Sequence, residues 1–329
     1  MQQLFKRNFL QHSLAVSAWM LQHEAKGGID PRSLSMEIQH NGQPVRFYPQ
    51  FVAEQHDGIG FVPHLQPNVS GFVGWLPYFG KGWEESRDKL AFKRFAQANG
   101  LTTPAWSQNL ADVKGAFLIK HRRSTLGRSQ RGPYAAAPPP AKQLDLTLAD
   151  GEYCEQFVFG RLLKAWYWNG VPCVVEATPM PTIQGDGVST PRQLITSRLP
   201  QGTPWPEVLT NLIRLQGQSA DAVLPKGKAI VADYRYLSEL NPAMTVDHNI
   251  RAAIAGTSLE HQIVDAGKLC LNCVPADIRH NVAFTLDGIV DGTGQVHFLE
   301  MNCNPQLHPA FYAPMLDALF TPTPTTTKH

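Results

Sequence analysis

Two apolar segments in the C-terminal part of the chain flank a polar, glycine-rich turn. Residues 282–290 and 296–303 are the apolar segments, and residues 291–294 form the turn between them. This pattern predicts a β-hairpin. Because side chains alternate between the two faces of a strand, Glu300 and Asn302 are expected on the same face.

The position of the turn also predicts which residues lie opposite one another. With the turn at residues 291–294, Glu300 lies opposite Thr285, and Asp287 lies one diagonal step away on the same face. Asp287, Glu300 and Asn302 then converge on one spot. Hard oxygen ligands of this kind suit magnesium, which takes phosphate oxygens and waters as its further ligands. The alternative is a surface hairpin with solvated acids.

Helical spacing is clearest in two other segments. Near the N-terminus, apolar residues predict a retained amphipathic helix rather than a signal peptide, because polar residues interrupt the apolar run. These residues are Leu10, Leu14, Ala18 and Leu21. A second helix is predicted over residues 86–99, with Ser86 as its N-cap and Gly100 after its end. Its buried stripe is predicted to be Ala91, Phe95 and Ala98. Lys89 and Lys93 are four residues apart and share another face.

The remaining elements follow from shorter patterns. Asn-Gly turns predict hairpins at residues 35–48 and 162–177. The aromatic, glycine-rich stretch 71–83 is interpreted as an irregular connection packed on a core, with a substrate-pocket wall as the alternative. Strands are predicted at 116–120, at 153–159 and over most of 223–236, and helices through residue 194 and at 205–216, 246–255 and 259–271.

Composition narrows the classes of protein that this chain can represent. Its 329 residues suggest two or three compact units, and 43% hydrophobic with 17% charged residues is typical of a globular protein. A net charge of +2 argues against nucleic acid or a membrane as the main partner, and no apolar run is long enough to span a bilayer. Five cysteines without disulfide-framework spacing indicate a reducing cytoplasm. The pair Cys270 and Cys273 is interpreted as helix-end packing rather than a zinc site.

A basic loop with glycines follows the strand that ends at Lys120. Residues 121–132 carry several arginines, and a phosphate chain needs such cations together with accessible backbone N–H groups. Lys93 and Lys120 are the other candidate cations. Neither a Walker loop nor a G-x-G-x-x-G turn is present. Taken alone, the loop is equally interpretable as a solvated surface loop or a weak nucleic-acid contact.

Six motifs follow one another along the chain in an order that resembles the ATP-grasp superfamily, over about residues 86–315. The matching segments are Asp88-Lys89-Leu-Ala-Phe-Lys93, Gly100-Leu-Thr-Thr-Pro104, the strand ending at Lys120, Glu155-Gln-Phe-Val-Phe-Gly160, Asp287, and Glu300-Met-Asn302-Cys-Asn304-Pro305. Residues 182–190, with Leu194 and Ile195, are similar to the G-D-G-x-S-T stretch of cyanophycin synthetases and related amino-acid and peptide ligases. The resemblance implies an α/β fold of two α/β lobes that clasp a nucleotide, preceded by a smaller N-terminal α/β domain.

The resemblance also implies domain limits. An N-terminal domain is expected over residues 1–85, the small lobe over 86–160, and the C-terminal lobe with the metal site over 161–320. Residues 321–329 are Thr/Pro-rich and are predicted to be a disordered tail.

Individual roles are carried over residue by residue. For ATP, the resemblance implies Lys93, Lys120, Gly127, Glu155, Gln156, Phe157 and Val158. For magnesium, it implies Asp287, Glu300 and Asn302. Asn304 and Pro305 begin the loop expected to face the acyl substrate, and Arg128 and Arg235 are the expected catalytic arginines. The phosphate flap, residues 124–132, has more arginine and less glycine than is usual, and Leu162 replaces an acid that many members use for ribose.

The activity implied is ATP-dependent ligation of a carboxylate to an amine, through an acyl phosphate, with release of ADP and phosphate. ATP and Mg²⁺ are the expected cofactors, with two ions expected and Mn²⁺ as a substitute. Amino acids or short peptides are the expected substrates, and a homodimer is one expected assembly. Three alternatives stay open: an ATP-grasp kinase, an enzyme that crosslinks side chains of a ribosomal peptide, and a degenerate nucleotide-binding module.

Overall fold

The computed structural model describes residues 2–55, 58–124, 130–135, 146–236, 238–240 and 248–321. It contains three antiparallel sheets, a two-stranded ribbon and six α-helices within these ranges. The predicted mixed α/β class is therefore confirmed. All but the first residue of the predicted tail 321–329 lies outside the described residues. No described helix combines the length and the apolarity that a bilayer crossing requires.

Five strands form the N-terminal sheet, in the order β1-β2-β3-β4 with β5 on the other edge of β3. They are β1 Lys26–Ile29, β2 Met36–His40, β3 Gln43–Gln55, β4 Gly58–Val62 and β5 Val69–Leu76. Asn41 and Gly42 have φ of 52° and 77°, as the tight turn of the predicted β2–β3 hairpin requires. The prediction of an irregular connection was wrong for residues 71–76, because this part of β5 pairs with β3.

Helix α1 (Gln2–Gln22) packs across this sheet and confirms the predicted N-terminal helix. The leucines that predicted it do not face the core, however. Leu10, Leu14 and Leu21 are 57%, 60% and 83% exposed, whereas His12, Val16 and Trp19 are buried. The large indole of Trp19 removes more apolar surface from water than one leucine does, which favours the face that carries it.

Helix α2 (Lys89–Ala98) leads into a sheet of four short strands, ordered β6-β9-β7-β8. These are β6 Trp106–Ser107, β7 Phe117–His121, β8 Arg131–Tyr134 and β9 Glu152–Gln156. The N-cap is Asp88, whose carboxylate accepts from the N–H groups of Leu90 and Ala91. The prediction of Ser86 as N-cap was wrong, because Ser86 belongs to a preceding 3-10 turn. The predicted buried stripe was also wrong at Ala98, which is exposed.

The C-terminal sheet has the order β11-β10-β14-β15. Its strands are β10 Arg161–Trp168, β11 Val171–Pro179, β14 Ala283–Val290 and β15 Val296–Cys303, and β12 Thr182–Gln184 pairs with β13 Ala229–Val231 in a separate ribbon. The accompanying helices are α3 Pro191–Thr196, α4 Glu207–Leu215, α5 Ser258–Leu271 and α6 Tyr312–Phe320.

Two predictions for the part of the chain between β12 and α5 were wrong. The segment 223–236 contains only the three-residue strand β13, because a turn occupies residues 226–227 and most of the remaining residues have irregular backbone. Residues 251–255 form turns and residues 248–250 are not α-helical, whereas a helix was predicted; residues 246–247 of that predicted helix lie outside the described ones. Sequence reasoning did not anticipate α6.

One hydrophobic core joins the N-terminal sheet to the C-terminal sheet. Trp75 of β5 belongs to the same buried cluster as Trp166 and Trp168 of β10. The hydroxyl of Tyr312 in α6 bonds both the Nδ1 atom of His12, at 2.9 Å, and the backbone N–H of Trp75, at 3.0 Å. The N-terminal residues therefore share their core with the lobe that carries the acidic hairpin.

Candidate active site

A cleft of about 540 Å³ lies between the small sheet and the C-terminal sheet. Ten of the residues predicted for a nucleotide, metal or substrate line it. They are Lys120, Glu155, Gln156, Phe157, Val158, Arg235, Asp287, Glu300, Asn302 and Pro305. Lys93 and Asn304 are not part of the lining, and Gly127 and Arg128 lie outside the described residues.

The hairpin β14–β15 brings the predicted metal ligands together, but in another register than expected. Asp287 lies directly opposite Glu300, and Thr285 lies opposite Asn302. The predicted pairing of Glu300 with Thr285 was wrong for two reasons. Val290 pairs with Val296 rather than with Gln295, the partner that a turn at residues 291–294 implies, and a β-bulge beside Asp287 adds a further residue to β15.

Lysines balance the two acids of this hairpin. Lys164 Nζ lies 2.7 Å from Asp287 Oδ1, and Lys89 Nζ lies 3.0 Å from Glu300 Oε2. The amide nitrogen of Asn302 donates to both carboxylates, at 3.3 Å each. The side chains of Asp287 and Glu300 stay 23% and 25% exposed. The acids are therefore accessible from the cleft.

Burial and charge shift the two acids in opposite directions. Burial raises the pKa of Asp287, and although Lys164 opposes the shift, repulsion from Glu300 adds to it. Burial alone would raise the pKa of Glu300, but Lys89, followed by Lys120 and Lys164, outweighs it and lowers that pKa to about 2. Glu300 thus carries the more secure negative charge.

A third acid of the same sheet, Glu176, lies next to Lys164. Lys164 is the direct cross-strand neighbour of both Asp287 and Glu176, on opposite sides of β10. The buried Glu176 accepts a hydrogen bond from the hydroxyl of Tyr236 at 2.5 Å, and His308 Nε2 lies 3.5 Å from its other oxygen. Burial, with the nearby Glu176 carboxylate, raises the pKa of Tyr236 far above its ordinary value. Tyr236 therefore stays a neutral hydrogen-bond donor.

On the opposite wall, one buried carboxylate holds two lysines. Lys93 Nζ lies 2.6 Å from Glu155 Oε2, and Lys120 bonds the other oxygen of the same carboxylate. Lys93 also donates to the backbone carbonyl of Phe298, at 3.2 Å, next to the bulge in β15. Lys93 is 0% and Glu155 1% exposed. Lys120 reaches the cleft, whereas Lys93 lies behind Glu155.

The electrostatics of this pair follow from its burial. Desolvation raises the pKa of Glu155, but the attraction of Lys120 and Lys93 outweighs it, so the net shift is downward. Desolvation lowers the pKa of Lys93, although Glu155 opposes that shift. Each charge thus depends on its partners, because little water reaches either group.

Apolar side chains form the part of the cleft next to Glu155. Phe157 and Val158 follow β9, and Leu118 and Leu162 line the same cleft. The ring centroids of Phe157 and Tyr234 lie 5.2 Å apart in an edge-to-face contact. This surface is suited to a flat, largely apolar ring, which is the kind of group that the predicted adenine segment requires.

Arg235 and Asn304 are both held by partners within the chain. Arg235 forms a forked pair with the buried Asp233, with its closest contact at 2.7 Å, while remaining part of the cleft wall. The side-chain amide of Asn304 accepts from the N–H of Lys81 at 2.9 Å and donates to the carbonyl of Lys81 at 2.6 Å. Asn304 therefore fixes the loop after β15, and its neighbour Pro305 reaches the cleft.

Sequence reasoning missed Lys164, Glu176 and Tyr236 as site residues. A usable signal was present for the first two. Glu176 is the single charged residue of β11, and Lys164 lies among the apolar residues that follow Arg161 in β10; a charge in such a strand needs a partner on its own face. Tyr236 carried no such signal, because its position depends on a turn after β13.

The described residues contain no cluster of three or more His, Cys, Asp or Glu side chains that could hold a metal ion. Cys270 is buried at the end of α5, and the Cys273 thiol donates to the carbonyl of Cys270 at 3.0 Å. This geometry agrees with the helix-end interpretation of the pair. In the hairpin, two carboxylates and one amide are the available ligands.

Comparison with known proteins gives matches among solved structures alone. No family model matches the chain, and no curated protein matches it. A D-alanine–D-alanine ligase from Bacillus anthracis is 12% identical, with a TM-score of 0.39 over 71% of this chain and 62% of its own. A bifunctional glutathione synthetase from Pasteurella multocida is 12% identical, with a TM-score of 0.43 over 94% of this chain and 43% of its own.

An L-amino acid ligase from Bacillus licheniformis is also 12% identical, with a TM-score of 0.33 over 68% of this chain and 43% of its own. By their names, these three proteins are two ligases and one synthetase. The chain spans between 43% and 62% of the length of these three structures. At such identities and TM-scores, the matches carry no argument about the activity of this chain.

Proposed function

We propose that this chain is a nucleotide-dependent enzyme of the ATP-grasp type. More specifically, we propose that it joins a carboxylate to an amine and converts ATP into ADP and phosphate. One observation carries the proposal. Asp287, Glu300 and Asn302 converge on the wall of a cleft whose other wall presents Lys120 and an apolar surface. Acids that hold a cation, a lysine for phosphate and an apolar slot are what a metal–nucleotide complex requires.

The donor set of the hairpin fits magnesium. Two partly exposed carboxylates and one amide leave positions for waters and phosphate oxygens, as this cation prefers. Lys164 and Lys89 already compensate the two acids, so the site is built to hold positive charge. Asp287, Glu300 and Asn302 would hold Mg²⁺, and Asn302 would have to turn its amide over to present the oxygen, because its nitrogen donates to both carboxylates. When bound, the metal would neutralise negative charge on the transferred phosphoryl group.

The proposed reaction has two steps. The γ-phosphoryl group of ATP moves to a substrate carboxylate, which gives an acyl phosphate and ADP. An amine then attacks the acyl carbon, phosphate leaves, and the nitrogen loses a proton. The side chains need only to position the reactants and balance charge, because neither step requires a protein nucleophile. Lys120 would bind phosphate, and Phe157 with Val158 would contact the base.

The direct test measures ADP release by the purified chain over a panel of amino acids and dipeptides, with mass detection of the product. ADP that appears only when both an acid and an amine are present, with one new amide per ADP, supports the ligase. A phosphorylated product without any amine requirement would instead identify a kinase. Absence of ATP binding by calorimetry would contradict both enzymatic proposals.

A further inference from the structure

Glu176 is a buried carboxylate in which only one of the two oxygens accepts a hydrogen bond. It lies in β11, is 3% exposed, and accepts from the Tyr236 hydroxyl through Oε2, at 2.5 Å. Its Oε1 atom is buried without a hydrogen-bond partner among the described residues, although His308 Nε2 lies 3.5 Å away. Buried carboxylate oxygens normally accept hydrogen bonds, because an unmade one costs free energy. Glu176 can therefore receive a further donor.

Lys164 lies between Glu176 and the proposed metal ligand Asp287. It stands opposite Glu176 on one side of β10 and opposite Asp287 on the other, so the three side chains share one face of the sheet. Its ammonium lies 2.7 Å from Asp287 Oδ1 and 5.1 Å from the ring centre of Tyr236. Because the Cβ atoms of directly opposite residues are about 4.5–5.5 Å apart, the long lysine side chain can reach either carboxylate from one backbone position.

A metal at Asp287 would take this partner away from Lys164. The ammonium would then face a divalent cation at short range, where like charges repel. The Lys164 side chain is only 13% exposed, so water cannot fully replace the lost carboxylate. Glu176 provides an alternative, because it lies on the other side of Lys164 and its Oε1 atom can still accept a hydrogen bond.

We propose that Lys164 exchanges its ion-pair partner when a metal binds, from Asp287 to the Oε1 atom of Glu176. The Tyr236 hydroxyl holds Glu176 through Oε2, so Glu176 and Tyr236 are positioning residues that act through Lys164. The inference rests on the proposed function, because it takes Asp287 as a metal ligand. The exchange keeps the lysine compensated with and without the metal. Glu176 thereby increases the affinity of the hairpin for a divalent cation.

The first test measures the dissociation constant of Mn²⁺ for the full chain by electron paramagnetic resonance, which detects the free ion. Glu176→Gln keeps the shape of the side chain but leaves the displaced Lys164 without a carboxylate, so Mn²⁺ binding should weaken about tenfold. Glu37→Gln is the matched control, because Glu37 is an exposed glutamate of β2 and does not line the cleft. The control should leave the constant unchanged, and circular dichroism should show that both variants are folded.

A double-mutant cycle separates the ion-pair exchange from a general loss of negative charge. Lys164→Met removes the competing ammonium and should strengthen Mn²⁺ binding severalfold. In that background, Glu176→Gln should change the constant by less than about twofold, because no lysine needs a new partner. An effect of equal size in both backgrounds would overturn the inference.

Tyr236→Phe repeats the test without replacing the buried acid. It removes only the hydroxyl that holds Glu176, so Mn²⁺ binding should weaken roughly threefold when Lys164 is present and stay unchanged in the Lys164→Met background. If Mn²⁺ binds the wild type, Glu176→Gln and Tyr236→Phe equally well, the exchange is overturned and the proposed metal site remains. If the wild type binds no Mn²⁺, the proposed function is overturned together with the inference.

Discussion

Two clusters, each made of acids paired with lysines, lie on opposite walls of the cleft, and they differ in their access to water. In the small lobe, Lys93 and Glu155 are 0% and 1% exposed. In the C-terminal sheet, Asp287 and Glu300 keep 23% and 25% of their side-chain surface open. From the motifs, Lys93 and Glu155 are predicted to bind ATP, and Asp287 and Glu300 are predicted to bind its magnesium. Their surroundings give them different physical tasks.

A buried charge needs a permanent partner, because removing that partner leaves it without solvation. The Lys93–Glu155 pair is thus a fixed part of the small lobe. The open cluster is different, since Asp287 and Glu300 are partly exposed in the cleft, and in the proposed site Lys164 and Lys89 would give way to Mg²⁺. The stability of the small sheet and the proposed chemistry of the cleft therefore depend on different acids.

The largest expected effect is on stability, from Glu155→Gln. This change removes the only carboxylate bonded to the buried Lys93 among the described residues, so the free energy of unfolding should fall by about 3–5 kcal/mol. Urea unfolding followed by circular dichroism measures it. Asp221→Asn is the control, because Asp221 pairs with Arg192 at the surface. Equal stability of the Glu155 variant and the control would show that the pair is not structural.

The next effect is on turnover, from Glu300→Gln. The substitution keeps the shape of the side chain and removes one charge from the proposed metal site, so ADP release should fall on the order of 10²-fold or more. Stability should change far less than in the Glu155 variant. Asp265→Asn, in an exposed part of α5, is the matched control. Unchanged ADP release by the Glu300 variant would refute its role as a metal ligand.

A smaller effect is expected on nucleotide affinity, from Lys120→Ala. Lys120 is the lysine of the buried cluster that reaches the cleft, and its loss should weaken ATP binding by ~1.5–3 kcal/mol, the range for hydrogen bonds to charged groups. Isothermal titration calorimetry measures it, with the exposed Lys114→Ala from the same lobe as control. If both variants bind ATP equally well, Lys120 does not contact phosphate.

The smallest effect concerns the pH dependence of stability. Although burial opposes the shift, Lys120 and Lys93 hold the pKa of Glu155 below its ordinary value of 4.5. The unfolded chain therefore binds the proton first as pH falls, and the stability contributed by Glu155 is lost progressively below about pH 4.5. Urea unfolding at several pH values should show the wild type converging on Glu155→Gln in acid. A difference that does not depend on pH would contradict this electrostatic account.

Local patterns predicted the acidic hairpin but not its register. Alternation alone places Glu300 and Asn302 on one face, and it needs no knowledge of the rest of the chain. The bulge beside Asp287 has no comparable signature, because it accompanies contacts made outside the hairpin. Phe298 donates its N–H to the carbonyl of Thr102, at 2.9 Å, and accepts from Lys93.

Other features depended on residues far apart in sequence. Both faces of α1 have helical apolar spacing, so only packing against the sheet decides that Val16 rather than Leu14 is buried. Lys164 and Asp287 meet because β10 and β14 are neighbours, although 122 residues lie between them. The roles of the individual site residues, including Gly127 and Arg128, stay predictions.

The core shared by the N-terminal and C-terminal sheets has a practical consequence. A shortened chain that began after residue 85 would lack Trp75, and the buried face of the C-terminal sheet around Trp166 would be exposed to water. The first strands and the last helix are thus two ends of the same unit, tied by Tyr312. A shortened or grafted version of the cleft would therefore have to retain both the N-terminal sheet and helix α6.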